Sequence, residues 1–295
     1  MLKRSLVFTS PVVLSLRNEQ LVISVKESTT EKVTIPIEDI GFVLIDNPMV
    51  SITIPLLNAL SANNVAVIFC DAKGMPASMI QNFETNLLQG EILQSQISAK
   101  EPLKKSLWKQ TVESKIKNQA ALLNKLGKNG NKLRPYYNNV KSGDIDNREG
   151  IAARLYFQEL FGKNFVRDRF DSGINSLLNY GYTIIRSASA RAIMSAGLFP
   201  AFGIFHHNRS NAFPLADDLM EPYRPFVDEI VFGLTKDNTL ELNRITKEEL
   251  IRVLFCDTYF PKVTRPLEVA LSYTMASVAR CFNKGQKSIN YPTLK

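Results

Sequence analysis

Two histidines occur in the 295 residues of this chain, and they are neighbours, His206 and His207. They lie in FGIFHHNRSNAFPLADDLMEPYRPFVDEI, about eleven residues ahead of Asp217 and Asp218, with Glu221 shortly after. If the LADDLMEP segment is helical, Asp218 and Glu221 are three apart and share a face. Pro222 would clash with the carbonyl of Asp218 inside a helix, so a first turn or kink is expected there. Two carboxylates with one neutral imidazole make a mostly hard ligand set. Carboxylate oxygens suit Mg²⁺ or Mn²⁺, and an imidazole shifts the preference toward Mn²⁺. Mg²⁺ sites retain waters and take further ligands from substrate phosphates, which points to phosphodiester chemistry.

A plainer reading stands beside this one. His206 or His207 is then a loop or core histidine, and Asp217 and Asp218 cap a helix whose positive N-terminus favours acids. A further acid, Glu149, lies in DNREGIAARLYFQELFG, three residues after Asp146. That spacing is a capping box. The alternative is that Glu149 is a ligand, with the small Ala152 and Ala153 one turn along letting another helix approach.

The elements that must carry these residues divide the chain in two. Residues 1–90 read as β-rich: LVFTS, VVLSLRNEQLVISV, KVTIPI and IGFVLID are short runs dense in Val, Ile and Leu. RNEQ is the expected hairpin turn, PLLNALSANN one helix, VAVIFCD a buried strand and AKGM the turn after it. From about Glu91 the spacing becomes helical, as in Leu103, Leu107, Val112, Ile116, Ala120 and Leu123. Residues 127–144 are rich in Gly and Asn and read as a loop. Helices are expected over 147–160, 173–196, 214–234, 247–258 and 265–282, the fourth opened by a TKEE capping box. The fold class is therefore α+β: a small β-rich domain over 1–90 and a larger all-α domain over 91–295.

Composition is that of a globular chain, 45% hydrophobic and 22% charged. Cys70, Cys256 and Cys281 are scattered, form no CxxC pair, and read as free thiols of a reducing compartment. Thr9, Ser10 and Pro11 interrupt the first apolar run too early for a signal peptide. The 14-residue stretch Ala192 to Phe205 is too short to span a bilayer. A cytoplasmic protein with no membrane partner is expected. The net charge of +8 is concentrated: residues 100–141 hold eleven Lys or Arg and two acids. Such a band is either the footprint of a nucleic-acid binder or a solvated helix face, and charge alone does not separate them.

Taken together, REGIAARLYF, LNYGYTIIRSASARAIMSAGLFPAFGIFHH and PLADDLMEPYRPFVD occur in an order and at separations that resemble one family. This is the integrase of CRISPR adaptation, the larger of the two proteins that insert new spacers. The opening SLVFTSPVVLSLRNEQLVI resembles its type II branch. The resemblance covers essentially the whole chain and implies the same β-rich then helical architecture, the first domain serving dimerisation. It implies metal ligands at Glu149, at His206 (counted from Gly203 in Gly-x-x-His) and at Glu221. Asp218 would assist or orient ligands from behind. His207 is left as a neighbour or a DNA contact.

What the resemblance implies for activity is strand transfer dependent on Mn²⁺ or Mg²⁺, in which the 3′-hydroxyl of a short duplex attacks a phosphodiester at a CRISPR repeat. The reverse reaction on branched DNA and nicking by water belong to the same centre. Lys104, Lys105, Lys109, Lys115 and Lys117, with His207 and Arg224, are the expected DNA contacts. Trp108, Tyr180 and Tyr182 are read as core residues or, alternatively, base-stacking platforms. Implied partners are double-stranded DNA (spacer precursor and repeat), a second copy of the chain, and a small adaptation protein that completes a heterohexamer. The type II effector nuclease and an accessory ring protein would join them. The competing classes are a non-catalytic basic DNA-binding module and a metal-dependent phosphoesterase acting on small substrates.

Overall fold

A computed structural model describes residues 3–25, 32–72, 74–80, 86–168, 170–237 and 239–295. The chain forms two compact units, Met1–Thr85 and Asn86–Lys295.

The first unit holds two four-stranded sheets. Strands β1 (Arg4–Phe8), β2 (Val12–Arg17), β3 (Gln20–Val25), β4 (Val33–Pro36), β5 (Ile40–Ile45) and β6 (Ser51–Ile52) precede helix α1 (Ile54–Ala62), followed by β7 (Ala66–Cys70) and β8 (Pro76–Met79). One sheet runs β1-β5-β7-β8, with the first three strands parallel; the other runs β4-β3-β2-β6. IGFVLI is apolar throughout because β5 lies between two parallel neighbours and is buried on both faces. Asn18 and Glu19 both take positive φ, the two-residue hairpin turn expected at RNEQ. Leu14, Leu21, Ile40, Val43, Leu56, Leu60 and Val67 form the core. Strand β8 has no counterpart among the expected elements: PASM has little strand character of its own and is held by antiparallel pairing to β7. The AKGM turn contains Lys73, which lies outside the described residues.

The second unit is built around α3 (Glu101–Lys125), which follows α2 (Gln89–Ile97). Around it lie α4 (Arg134–Tyr137), α5 (Arg148–Phe161), α6 (Ile174–Ser195), α7 (Pro214–Leu219), α8 (Arg224–Lys236) and α9 (Arg244–Ile251). A ribbon of β9 (Asp257–Tyr259) and β10 (Thr264–Pro266) precedes α10 (Leu267–Asn283). Helix α3 buries Leu107, Trp108, Val112, Ile116 and Leu123, and also the polar Thr111, Asn118 and Gln119. It packs on α5, α8 and the 3₁₀ turn Glu221–Tyr223, so it is the axis of this unit. Trp108, Tyr180 and Tyr182 are buried, which favours the core reading for all three.

Four expectations are corrected. The helix expected over 214–234 is two helices joined by a 3₁₀ turn, because Pro222 and Pro225 remove backbone donors and forbid a continuous helix. Helix α9 starts before TKEE: Asn243 is the N-cap, accepting from the amides of Ile245 and Thr246, and Thr246 closes the box. The second unit is not all-helical. Cys256 turns the chain extended, and Thr258 in β9 donates its hydroxyl to the Arg265 carbonyl at 2.8 Å, fixing the ribbon where helix was expected to reach 258. Residues 127–144 contain three short helical turns rather than a plain loop. Among the described residues, no helix is long and apolar enough to cross a membrane.

Candidate functional site

Glu149 stands in the first turn of α5, whose amides are satisfied without it. Asp144 accepts from the amides of Arg148 (2.9 Å) and Glu149 (3.0 Å), and Asn147, in the left-handed region, accepts from Gly150. Asp146 pairs instead with Lys141 at 2.9 Å. The Asp146–Glu149 capping box is therefore corrected: Asp144 and Asn147 cap the helix, and the Glu149 side chain turns toward α3.

There it meets Lys115. The Lys115 ammonium pairs with Glu149 Oε1 and, at 2.6 Å, with Glu221 Oε2. Glu221 opens the 3₁₀ turn between α7 and α8, and Arg224 holds its other oxygen at 2.9 Å. The turn is anchored by Asn118 of α3, which donates to the carbonyls of Pro222 (2.8 Å) and Pro292 (3.1 Å) and accepts from the Leu294 amide. Glu221 is 4% exposed and Lys115 6% exposed, so these charges face each other with little water between. Burial pushes the Lys115 ammonium down, but the charges of Glu149 and Glu221 outweigh it and raise it above an ordinary lysine. The Lys115 charge in turn holds Glu149 below the usual carboxylate range.

His206 is positioned from behind by Asp218. That carboxylate is fully buried and accepts four hydrogen bonds: from the amides of Ile204 (2.7 Å), Phe205 (2.9 Å) and His206 (3.3 Å), and from His206 Nδ1 at 2.5 Å. The acceptor assigns the ring proton to Nδ1 and leaves Nε2 for a ligand. The Asp218 hydrogen bond raises the His206 pKa against the opposing effect of burial, with the charges of Glu221 and Glu149 adding to it. Phe205 stacks on Trp108 with centroids 4.3 Å apart, and the imidazole stands edge-on to both rings. A Cβ on Gly203 would lie 2.4 Å from the His206 carbonyl oxygen and 3.0 Å from Asp218 Oδ2, so the loop closes on Asp218 only with glycine there. Asp217 points elsewhere, to Arg186 (2.7 Å) and Asn211 (2.6 Å).

The expected site residues thus form two adjoining sets of interactions: Glu149 and Glu221 on one ammonium, His206 on Asp218. They do not form a closed ligand cluster, since no group of three His, Cys, Asp or Glu among the described residues is close enough to hold a metal ion. The donor chemistry nevertheless fits a divalent cation. Two carboxylates from separate elements converge on one position already filled by a positive charge, and a histidine oriented by a carboxylate adjoins them.

Of the expected DNA contacts, Lys105 and Lys117 are exposed, Lys104 pairs with Glu101 at 3.6 Å, and Lys109 pairs with Glu113 at 3.7 Å. His207 is exposed. Arg224 is turned to Glu221 and lies over the Tyr182 ring at 4.7 Å. Lys115 is the correction: it is an inward member of the site, not a surface phosphate contact. Sequence reasoning missed it, along with Asn118 and Asp144. The available signal was its position beside Ile116 and one turn from Val112 and Gln119, on the buried side of α3.

This chain and its fold have relatives. The profile of the family described as CRISPR associated protein Cas1 matches residues 6–268. A CRISPR-associated endonuclease Cas1 of Neisseria meningitidis serogroup C is 39% identical over 255 residues, covering 85% of this chain and 83% of its own. One from Francisella tularensis subsp. novicida is 29% identical, covering 76% of each. Among solved structures, a casposase bound to integration product superposes with a TM-score of 0.80 at 21% identity, over 98% of this chain and 93% of its own. A Cas1 protein from Thermotoga maritima gives 0.78 at 15% identity, over 97% and 99%. These structural likenesses carry the fold; the profile and the Neisseria relative carry the family. The chain belongs to the Cas1 family of CRISPR-associated proteins, whose curated relatives are named endonucleases.

Proposed function

We propose that this chain is a divalent-metal-dependent DNA integrase of CRISPR adaptation that joins the 3′-hydroxyl of a spacer precursor to a phosphodiester of the repeat. The observation that carries this reading is the convergence of Glu149 and Glu221, from different elements, on one buried cation position beside an oriented histidine. Glu149, Glu221 and Nε2 of His206 would hold Mn²⁺ or Mg²⁺. When bound, such an ion polarises the phosphoryl oxygen and stabilises the leaving alkoxide.

The chain's own residues supply positioning. Asp218 holds the Nδ1 proton of His206, fixing the tautomer and turning the more basic Nε2 lone pair toward an ion. Arg224 and Asn118 fix Glu221 and the turn that carries it. The exposed lysines of α3, Lys105 and Lys117, together with Lys104 and Lys109, would neutralise phosphates without reading bases. His207 and Arg224 are the remaining candidate contacts.

The Neisseria relative supports a place in the type II branch. Likeness to chains in a solved Cas6-RT-Cas1–Cas2 complex, and to the casposase bound to integration product, supports Cas2 and duplex DNA as partners. Two dimers, each joined through its β-rich units and together flanking a dimer of the small partner, complete the proposed heterohexamer.

The test is strand transfer and resealing on branched duplex DNA with Mn²⁺, Mg²⁺ or EDTA, comparing the parent with Glu149→Gln and Glu221→Ala. Metal-dependent joining that falls at least about 100-fold in both variants, with duplex binding retained, is the expected result. Tight DNA binding with no reaction in the parent, even with the small partner protein added, would move the assignment to a non-catalytic binding module.

A further inference from the structure

Lys115 has no part in the ligand set just proposed, yet it sits at its centre. Its ammonium touches both glutamates that the metal reading uses, and it is buried with Glu221. A long, flexible stem carrying a compact charge is suited to move between two positions, unlike the forked guanidinium of Arg224. The local charges are already balanced: Glu149 and Glu221 are matched by Lys115 and Arg224.

We propose that Lys115 is the internal counter-cation of this centre: its ammonium occupies the position between Glu149 and Glu221 in the metal-free protein and leaves when a divalent ion binds there. The inference rests on the metal reading of Glu149 and Glu221. Without the ammonium, two carboxylates would face each other across a buried gap, an arrangement that is strongly destabilising. With it, they are held on one point before any metal arrives. A divalent ion held by the same carboxylate oxygens would compete with the ammonium for them and repel it. Metal binding to the free protein is therefore opposed by one resident positive charge. Its departure, together with the excess charge the ion brings, favours ion entry when DNA phosphates are present to compensate.

The first experiment measures Mn²⁺ binding by calorimetry on the full chain in the absence of DNA, for the parent, Lys115→Met and the Glu149→Gln/Glu221→Gln double variant. Lys115→Met should bind Mn²⁺ at least about tenfold more tightly than the parent, and the double variant should lose the site. Lys115→Met should also show the larger rise in melting temperature on adding Mn²⁺. Equal or weaker binding in folded Lys115→Met overturns the counter-cation role and leaves the metal centre standing. Binding by the parent that is unaffected in the double variant overturns the metal centre itself, and the role with it.

A second measurement needs no substitution. Amine labelling of the unaltered protein, read peptide by peptide in EDTA and in Mn²⁺, should find Lys115 protected in EDTA and reactive in Mn²⁺. Lys128, bonded to the carbonyls of Glu159 and Leu160, serves as the unchanging reference. Unchanged Lys115 reactivity at saturating Mn²⁺ overturns the proposal.

Discussion

Asp218 grips His206 twice, at the backbone amide (3.3 Å) and at ring Nδ1 (2.5 Å). The same carboxylate also takes the amides of Ile204 and Phe205. It therefore shapes the loop and aims the imidazole in one structure, and the two roles can be separated experimentally. Asp218→Asn puts an amide NH₂ where an acceptor is needed, so at least one amide or Nδ1–H loses its partner. Strand transfer should fall by about 10–100-fold while duplex affinity is unchanged. Equal activity in the variant, measured on branched DNA, would assign Asp218 to loop structure alone.

Gly203 is required by close approach, not by backbone conformation. An added Cβ would collide with the backbone oxygen of His206, which cannot move without dragging the histidine. Gly203→Ala should cost about 1–3 kcal/mol in stability and more in strand transfer than that loss of folded protein explains. Chemical denaturation and single-turnover rates on the same preparation check it. A variant with parental rate and stability shows that the loop relaxes freely.

Asp228 makes stability pH-dependent. It is 1% exposed, receives the hydroxyls of Tyr156 (2.7 Å) and Tyr182 (2.5 Å), and burial pushes its carboxyl up to about 6. Because the folded pKa is raised, the folded protein holds a proton that the unfolded chain gives up between pH of about 4 and 6. Stability contributed by this group is therefore lost as pH rises through that window. Asp228→Asn should remove the slope, gaining in melting temperature relative to the parent above pH of about 6 and showing no such gain near pH of about 4. A difference that does not change with pH would contradict this.

The outward lysines of α3 should act on DNA affinity uniformly across sequences. Replacing Lys105 and Lys117 by Ala should flatten the log–log salt dependence of duplex binding by about 0.9 for each phosphate left without its lysine. Strand transfer at saturating DNA should be kept. An unchanged slope would make the exposed lysines a solvated face.

Much of this was legible in the chain itself. Alternating apolar residues around RNEQ form a hairpin because strand period and turn chemistry are local. Pro222 announces the break between α7 and α8 for the same reason, a missing donor and a fixed ring. Expectations failed where a distant partner overrode local preference. PASM became a strand through β7, residues 257–259 became a strand through β10, and Asn147 and Asp144 took the capping role that the spacing offered to Asp146 and Glu149.

Resemblance along the chain implies Glu149, Gly203, His206, Asp218 and Glu221 as the candidate site residues of a β-rich then mainly helical protein, whereas spacing alone leaves Glu149 as a helix cap and His206 undivided from His207. Residue type and short-range periodicity are written locally, so they can be read locally. Which of these groups meet is a matter of packing. Packing sends Asp217 to Arg186 and Asp218 to His206, although the two acids are adjacent. It also turns Lys115, one lysine in a basic band, inward onto a glutamate 34 residues away. Which face of α3 is buried depends on the helices that surround it, and that information is spread over the whole second unit.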